Sequence, residues 1–231
     1  MTFMQDFSIS PLGDNALLVS FSDCIEVATN EKVLQLFYRL KNFAPFIRDV
    51  VPAYASLAVY YDVLSLHRKD VSAFERVKEL LLPLLNEAKE DSRFPAREMV
   101  IPVCYAKNYA LDLEELAAQK GLAPEEIIQL HTAITYRVYT IGFLPGFPYM
   151  GTVDERIAAP RKSKPRTRIP AGSVGIAGAQ TGIYPLSSPG GWNIIGRTPV
   201  KLFDKDRHDP VLLQAGDHVR FISISEDEFE N

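Results

Sequence analysis

Between Arg156 and Phe203 the chain has neither Asp nor Glu, yet it holds Arg156, Arg161, Lys162, Lys164, Arg166, Arg168, Arg197 and Lys201. This stretch is +8 in a chain of net charge −4, so the remainder is −12. Glycine and proline concentrate in the same place, in PRTRIPAGSVGIAGAQTGIYPLSSPGGWNIIGRTP and in GFLPGFPYMG just upstream. Glycine lets backbone come close to a ligand, and proline holds a loop in one shape. Guanidinium groups on rigid loops suit a carboxylate or phosphate, which they engage through paired N–H donors. The candidate anion contacts are Arg166, Arg168 and Arg197, with Gln180 and Tyr184 as neutral hydrogen-bonding partners. The plain alternative is a solvated basic loop that offsets the acidic remainder.

A second group is aromatic. GFLPGFPYMG (Gly142 to Gly151) brings Phe143, Pro145, Phe147 and Tyr149 into one rigid apolar loop, and the single tryptophan, Trp192, follows SSPGG. Exposed aromatics invite association, so these residues read as a pocket wall or a partner contact. The alternatives are a loop folded onto its own core and, for Trp192, core packing. His131 closes a helical segment, where it is either a C-terminal cap or a group that exchanges a proton during catalysis. Gly172, Gly175 and Gly178 make neither a GK[ST] phosphate loop nor a G-x-G-x-x-G turn before a helix. There is no G-x-S-x-G elbow and no Cys–His pairing at a familiar spacing. Cys24 and Cys104 read as free thiols of a reducing compartment, and His67, His131, His208 and His218 are too scattered for a metal site.

The elements that must position these residues follow from periodicity. Ala16 to Phe21 is a strand; Asn30 is placed to cap a helix whose apolar face is Val33, Leu34, Phe37 and Leu40. Val50 to Tyr61 reads as two strands about a turn, Val71 to Ala88 as a second helix and Arg97 to Tyr105 as a further strand. The order β-α-β-β-α-β is that of a ferredoxin-like α+β domain, and Glu87 to Ala96 is the best linker. Asp112 as N-cap with Glu115, then Gly121 and Pro124, predict a helical hairpin over 112–131. Glu125 and Glu126 open its second helix and would repel DNA phosphates, and the acidic chain as a whole argues against nucleic acid. From Tyr136 onward short apolar segments alternate with Gly/Pro turns, as in a β-barrel or sandwich, and the tail EDEFEN is expected to fray. The layout is therefore an α+β domain over 1–90 and a mostly-β domain over 91–231. No apolar run approaches the ~18 residues of a membrane span, and the start does not read as a secretory signal, so the expectation is a cytoplasmic protein.

His131, Tyr136-x-Val138, GFLPGFPYMG, the PR pairs at Pro160–Arg161 and Pro165–Arg166, PAGSVGIAGAQTGIYP, SPGGWNIIGRTP, LFD and GDHVRF strongly resemble the KipI/PxpB family. GDNALLV (Gly13 to Val19) and VVPAYASLAVYYD (Val50 to Asp62) extend the resemblance over nearly the whole chain. That family is also labelled as the B-type chain of 5-oxoprolinase, as allophanate hydrolase subunit 1 and as carboxyltransferase domain subdomain A/B. The resemblance implies a small α+β domain followed by a cyclophilin-like β-barrel. It implies a subunit, inactive alone, of an ATP-dependent 5-oxoprolinase that opens 5-oxoproline to glutamate with a KipA/PxpC-type partner and a LamB/YcsF-type PxpA partner. ATP would then sit on the partner or at a shared surface, with no metal within this chain. Arginines would offset charge on a transferring phosphoryl group. Other members inhibit a sensor histidine kinase, which makes a regulatory binding protein the alternative. A prolyl isomerase would follow from the barrel alone, and fold does not license function.

Overall fold

The computed structural model describes residues 7–41, 43–68, 70–86 and 96–231, and the chain divides into two units, Met1–Pro95 and Ala96–Asn231. The expected linker, Glu87 to Ala96, lies outside the described residues except for Ala96.

The first unit runs β1 (Ser8–Pro11), β2 (Ala16–Ser20), α1 (Val27–Leu40), β3 (Ile47–Pro52), β4 (Ser56–Tyr61), α2 (Val63–Leu66) and α3 (Ala73–Asn86). Its antiparallel sheet has the order β1-β2-β4-β3. Alternation in ALLVS and SLAVYY gives the sheet Leu17, Val19, Leu57, Val59 and Tyr61 as buried residues. The apolar stripes of α1 (Val33, Leu36, Leu40) and α3 (Val77, Leu81) close over them. Asn30 does not cap α1, whose N-cap is Glu26. It is buried one turn in and donates Nδ2–H bonds to Ala53 O and Tyr54 O, 3.3 and 3.2 Å away. A buried amide needs acceptors, and the β3–β4 turn supplies them.

The ferredoxin-like order does not form. A strand, β1, precedes the expected first one, and the expected last strand becomes β5 (Glu98–Cys104), which belongs to the second unit. Ile101 and Val103 of this strand face a barrel core, and its parallel partner lies more than a hundred residues later. Periodicity identifies a strand but carries no information about so distant a partner.

The second unit continues with α4 (Leu113–Lys120), α5 (Pro124–Thr132), β6 (Thr135–Ile141), β7 (Pro148–Gly151), β8 (Arg166–Ile169), β9 (Ser173–Ala177), β10 (Gln180–Ile183), β11 (Ser188–Gly190), β12 (Asn193–Arg197), β13 (His218–Ile224) and α6 (Glu226–Glu230). Seven strands close into a barrel in the order β10-β7-β6-β13-β5-β12-β9, which leaves no sheet edge open, while β8 and β11 form a separate two-stranded ribbon. Tyr136, Val138, Met150, Val174, Ile176, Ile183, Ile195, Val219 and Phe221 belong to the barrel core. Gly121, at φ 66°, ends α4 in the left-handed conformation that glycine tolerates, and Pro124 opens α5. The acidic tail is not frayed. Ser225 caps α6 by accepting from the Glu228 N–H, and Phe229 lies 4.2 Å from the Tyr109 ring.

Candidate functional site

The outer face of four adjacent barrel strands, β7, β10, β9 and β12, carries a cluster apart from the barrel core: Phe147, Ile169, Ala177, Tyr184, Trp192 and Ile194. A lane of glycine makes room for it. Gly182 pairs across the sheet with Gly175 on one side and Tyr149 on the other. A Cβ at Gly182 would sit 3.0 Å from Phe147 Cζ, and one at Gly175 would sit 3.1 Å from Trp192 Cβ. The Phe147 ring therefore rests on bare backbone at Gly182, and Gly175 leaves room for the root of the Trp192 side chain. Gly175, one of the three glycines that form no phosphate loop in the sequence, thus works with Gly182 to seat aromatic side chains.

Phe147 is the centre of the group. The rings of Tyr149, Tyr184, Trp192 and Phe143 lie 4.8, 5.1, 5.4 and 5.7 Å from it, the last three edge-on, which suits the opposed charge of ring faces and edges. Together with Arg161, Pro165 and the run Pro189–Trp192, these aromatics line a cleft of about 230 Å³. Phe143 has φ 66°, and the Leu144 N–H donates to Gly142 O at 2.8 Å across it. A three-residue turn of this hand is rare and strained for a residue with a side chain. It holds a phenyl ring that is 63% exposed at the cleft. Burial pushes the Tyr184 phenol up to about 12 against the opposing effects of the Trp192 backbone and of the Arg161 charge. Gly190 is required beside it, since a Cβ there would overlap the Tyr184 hydroxyl and lie 2.7 Å from Ile169 Cδ1.

The cationic side of the cleft is positioned by Asp112, which is only 1% exposed. Its carboxylate accepts two N–H bonds from Arg166, each 2.7 Å, one from Lys162 at 2.9 Å and one from the Ile194 N–H at 2.8 Å. Lys162 also reaches Glu115 at 2.8 Å. Burial pushes the Asp112 carboxyl up, but the bonds from Arg166, Lys162 and Ile194 outweigh it and hold the group below its usual range. Asp112 stands at the N-cap of α4, as the sequence predicts, but its side chain makes no cap bond to the helix, because two cations and a buried N–H bind the carboxylate more strongly than an exposed helix terminus does. The Lys162 N–H to Gly191 O bond (2.7 Å) and the Asn193 Nδ2–H to Pro160 O bond (2.9 Å) stitch the segment 160–166 to the segment 191–194. Arg161 and Pro165 are carried to the cleft on that seam.

Of the residues singled out in the sequence, Phe143, Phe147, Tyr149, Tyr184 and Trp192 meet at the cleft. Pro145 is exposed in the same loop without lining it. The three arginines do not converge: Arg166 is held by Asp112, Arg168 donates to the Ser187 hydroxyl at 3.3 Å, and Arg197 donates to Ala171 O at 2.8 Å with its guanidinium over Phe229. Gln180 is half-buried on β10, away from the cleft lining. Arg161 is the cation that reaches the cleft. It makes no hydrogen bond or ion pair among the described residues, and its sequence signal was the Pro160–Arg161 pair.

His131 lies in the barrel core with no exposed surface. Its ring stacks on Phe221 at 4.6 Å, and both nitrogens are engaged, Nδ1 with the Tyr105 hydroxyl at 2.8 Å and Nε2 with Thr181 Oγ1 at 2.9 Å. The Thr181 hydroxyl donates to Gly175 O at 3.1 Å, so it accepts from Nε2–H, and Nδ1 in turn accepts from Tyr105. Burial lowers this imidazole to about 3, which leaves it neutral near pH 7.

The cleft does not fit a nucleotide triphosphate: it offers one guanidinium, and among the described residues no group of three or more His, Cys, Asp or Glu could hold a metal ion. Among those residues, too, no helix is long and apolar enough to cross a membrane.

Residues 7–213 match the family model described as carboxyltransferase domain, subdomain C and D, where the sequence resemblance carried the label A/B. The chain is 45% identical to the B-type 5-oxoprolinase chain of Bacillus subtilis, over 96% of this chain and 95% of the relative. It is 41% identical to the B-type 5-oxoprolinase chain of Haemophilus influenzae, over 93% and 97%. The crystal structure of TTHA0988 superposes with a TM-score of 0.78 at 39% identity, covering 91% of this chain and 40% of that one.

Proposed function

The chain belongs to the carboxyltransferase domain, subdomain C and D, family, and on that footing we propose that it is the B-type component of an ATP-dependent 5-oxoprolinase. The observation that carries this reading is the near end-to-end identity with proteins named as that component of 5-oxoprolinase. Full-length coverage in both directions means that the likeness is to the whole relative rather than to one module of it. The reaction opens the lactam of 5-oxoproline to glutamate with ATP hydrolysis. The companions are a KipA/PxpC-type chain and a LamB/YcsF-type PxpA chain. TTHA0988 supports an intimate partner, since the part of it that resembles this chain is joined to further sequence in one polypeptide. The charge pattern supports an ATP site on a partner or at a shared surface. Arg156, Lys162, Arg166 and Lys201 of the basic stretch are each paired with a carboxylate, so half of its eight positive charges are already taken up within the chain.

The test is co-expression with the two companion types, purification of the assembly, and an assay for glutamate released from 5-oxoproline with ATP. Turnover is expected from the assembly and none from this chain alone. A pure assembly of all three chains without turnover, or brisk turnover by the single chain, would overturn the reading.

A further inference from the structure

We infer that the aromatic cleft is a subsite for a small monocarboxylate with a flat ring, with Arg161 as its carboxylate contact and Asp112 as the residue that positions Arg161. The inference deepens the function proposed above and rests on it for the choice of 5-oxoproline as the ring.

Size comes first. The cleft, about 230 Å³, is smaller than the ~300–1,000 Å³ of pockets that take drug-sized ligands, so its occupant is small. Its walls are the rings of Phe147, Tyr149 and Trp192, which offer flat apolar contact. Charge then selects among small molecules. Within the seam that carries the cationic wall, Asp112 takes up Lys162 and Arg166, and Arg161 is the guanidinium left at the cleft without a partner. One planar cation beside aromatic walls matches one carboxylate on a planar ring. It does not match the several charges of a polyphosphate. Asp112 therefore acts twice: it holds the segment that presents Arg161, and it keeps two further cations from making the site attractive to polyanions.

Trp192 is the only tryptophan and lines the cleft, so its fluorescence reports occupancy of the full-length chain directly. The titrants are 5-oxoproline, 2-pyrrolidinone (the same ring without the carboxylate) and ATP. A saturable change with 5-oxoproline is expected, with 2-pyrrolidinone at least about tenfold weaker, the loss expected for one charge-assisted contact. Arg161→Gln should weaken 5-oxoproline about tenfold and leave 2-pyrrolidinone unchanged, and Arg161→Lys should recover only part of the loss. Asp112→Asn should shift selectivity toward ATP by freeing Arg166 and leaving Lys162 to Glu115 alone, a change that mere loosening of the fold would not produce. If Asp112→Asn fails to fold, the exposed Arg161 variants carry the test. Equal binding of the two lactams, an unaltered Arg161→Gln, displacement of 5-oxoproline by ATP, or a flat titration confirmed by saturation-transfer NMR would each overturn the assignment. The two proposals fail separately. Turnover in the assembly with an unchanged KM for Arg161→Gln removes the subsite and keeps the enzyme; binding without turnover removes the enzyme and keeps the subsite.

Discussion

Two groups of aromatic side chains in the second unit, one around His131 and one around Phe147, treat their polar partners in opposite ways. In the barrel, the Tyr105 hydroxyl, both nitrogens of His131, the Thr181 hydroxyl and Gly175 O form one chain in which every donor meets an acceptor, all of it out of solvent. On the barrel's outer face, the rings around Phe147 border a cleft where Phe143 projects into solvent and Arg161 has no partner. Burial demands that polar groups be satisfied, so the closed network is what a stable core looks like. The open one retains unsatisfied chemistry, which is what a ligand needs. The Asp112 cluster is the device that keeps the two regimes apart, because it neutralises the cations of the cleft's border and leaves Arg161 out.

The comparison breaks most severely at Asp112. Asp112→Ala leaves Arg166 without its carboxylate and Lys162 with Glu115 alone, and loss of one partner of a buried pair costs about 3 kcal/mol, to be read by denaturant unfolding. A loss below about 1 kcal/mol would show the cluster to be peripheral.

The His131 network is next and is tested by pH. Its imidazole is lowered from the ordinary 6.5 to about 3, so between those values the unfolded chain binds a proton that the folded chain refuses. Its contribution is fully present above about pH 6.5 and is lost as pH falls toward 3, at up to about 1.4 kcal/mol per pH unit. That amounts to about 2 kcal/mol between pH 6 and 4.5. The carboxyls of Asp112 and Asp154, the latter lowered to about 2 by hydrogen bonds from Arg156, act in the same direction but only below the usual carboxylate range near 4. His131→Gln should therefore flatten the stability profile between pH 4.5 and 6.5, whatever its effect at neutral pH. An unchanged slope would mean that the imidazole is not sealed.

Gly190→Ala sharpens the contrast from the cleft side. Its Cβ collides with the Tyr184 hydroxyl and with Ile169, an overpacking cost of about 1–2 kcal/mol that should also alter Trp192 fluorescence. The smallest effect belongs to Arg161→Gln. This exposed residue has no partner to lose, so stability should change by less than about 0.5 kcal/mol while binding changes. A larger loss of stability would place Arg161 among the structural residues.

Much of this was legible in the residue order. The helical hairpin with Gly121 and Pro124 at its joint, the paired strands between Val50 and Tyr61, the alternating barrel segments and the aromatic loop all depend on neighbours within a few positions. The aromatic half of the cleft was visible for the same reason, since a proline- and glycine-rich loop full of rings has few uses in a core. Tertiary structure alone decided the rest. The parallel pairing of β5 with β13 and the pairing of Asp112 with Arg166, 54 residues away, are contacts between segments that no local pattern connects. The acid-free stretch looked like a block of free cations because charge along a chain is counted by position. In space, carboxylates from outside the stretch neutralise Arg166 and Lys162 and pass over Arg161, whose availability depends on which side chains one buried aspartate can reach.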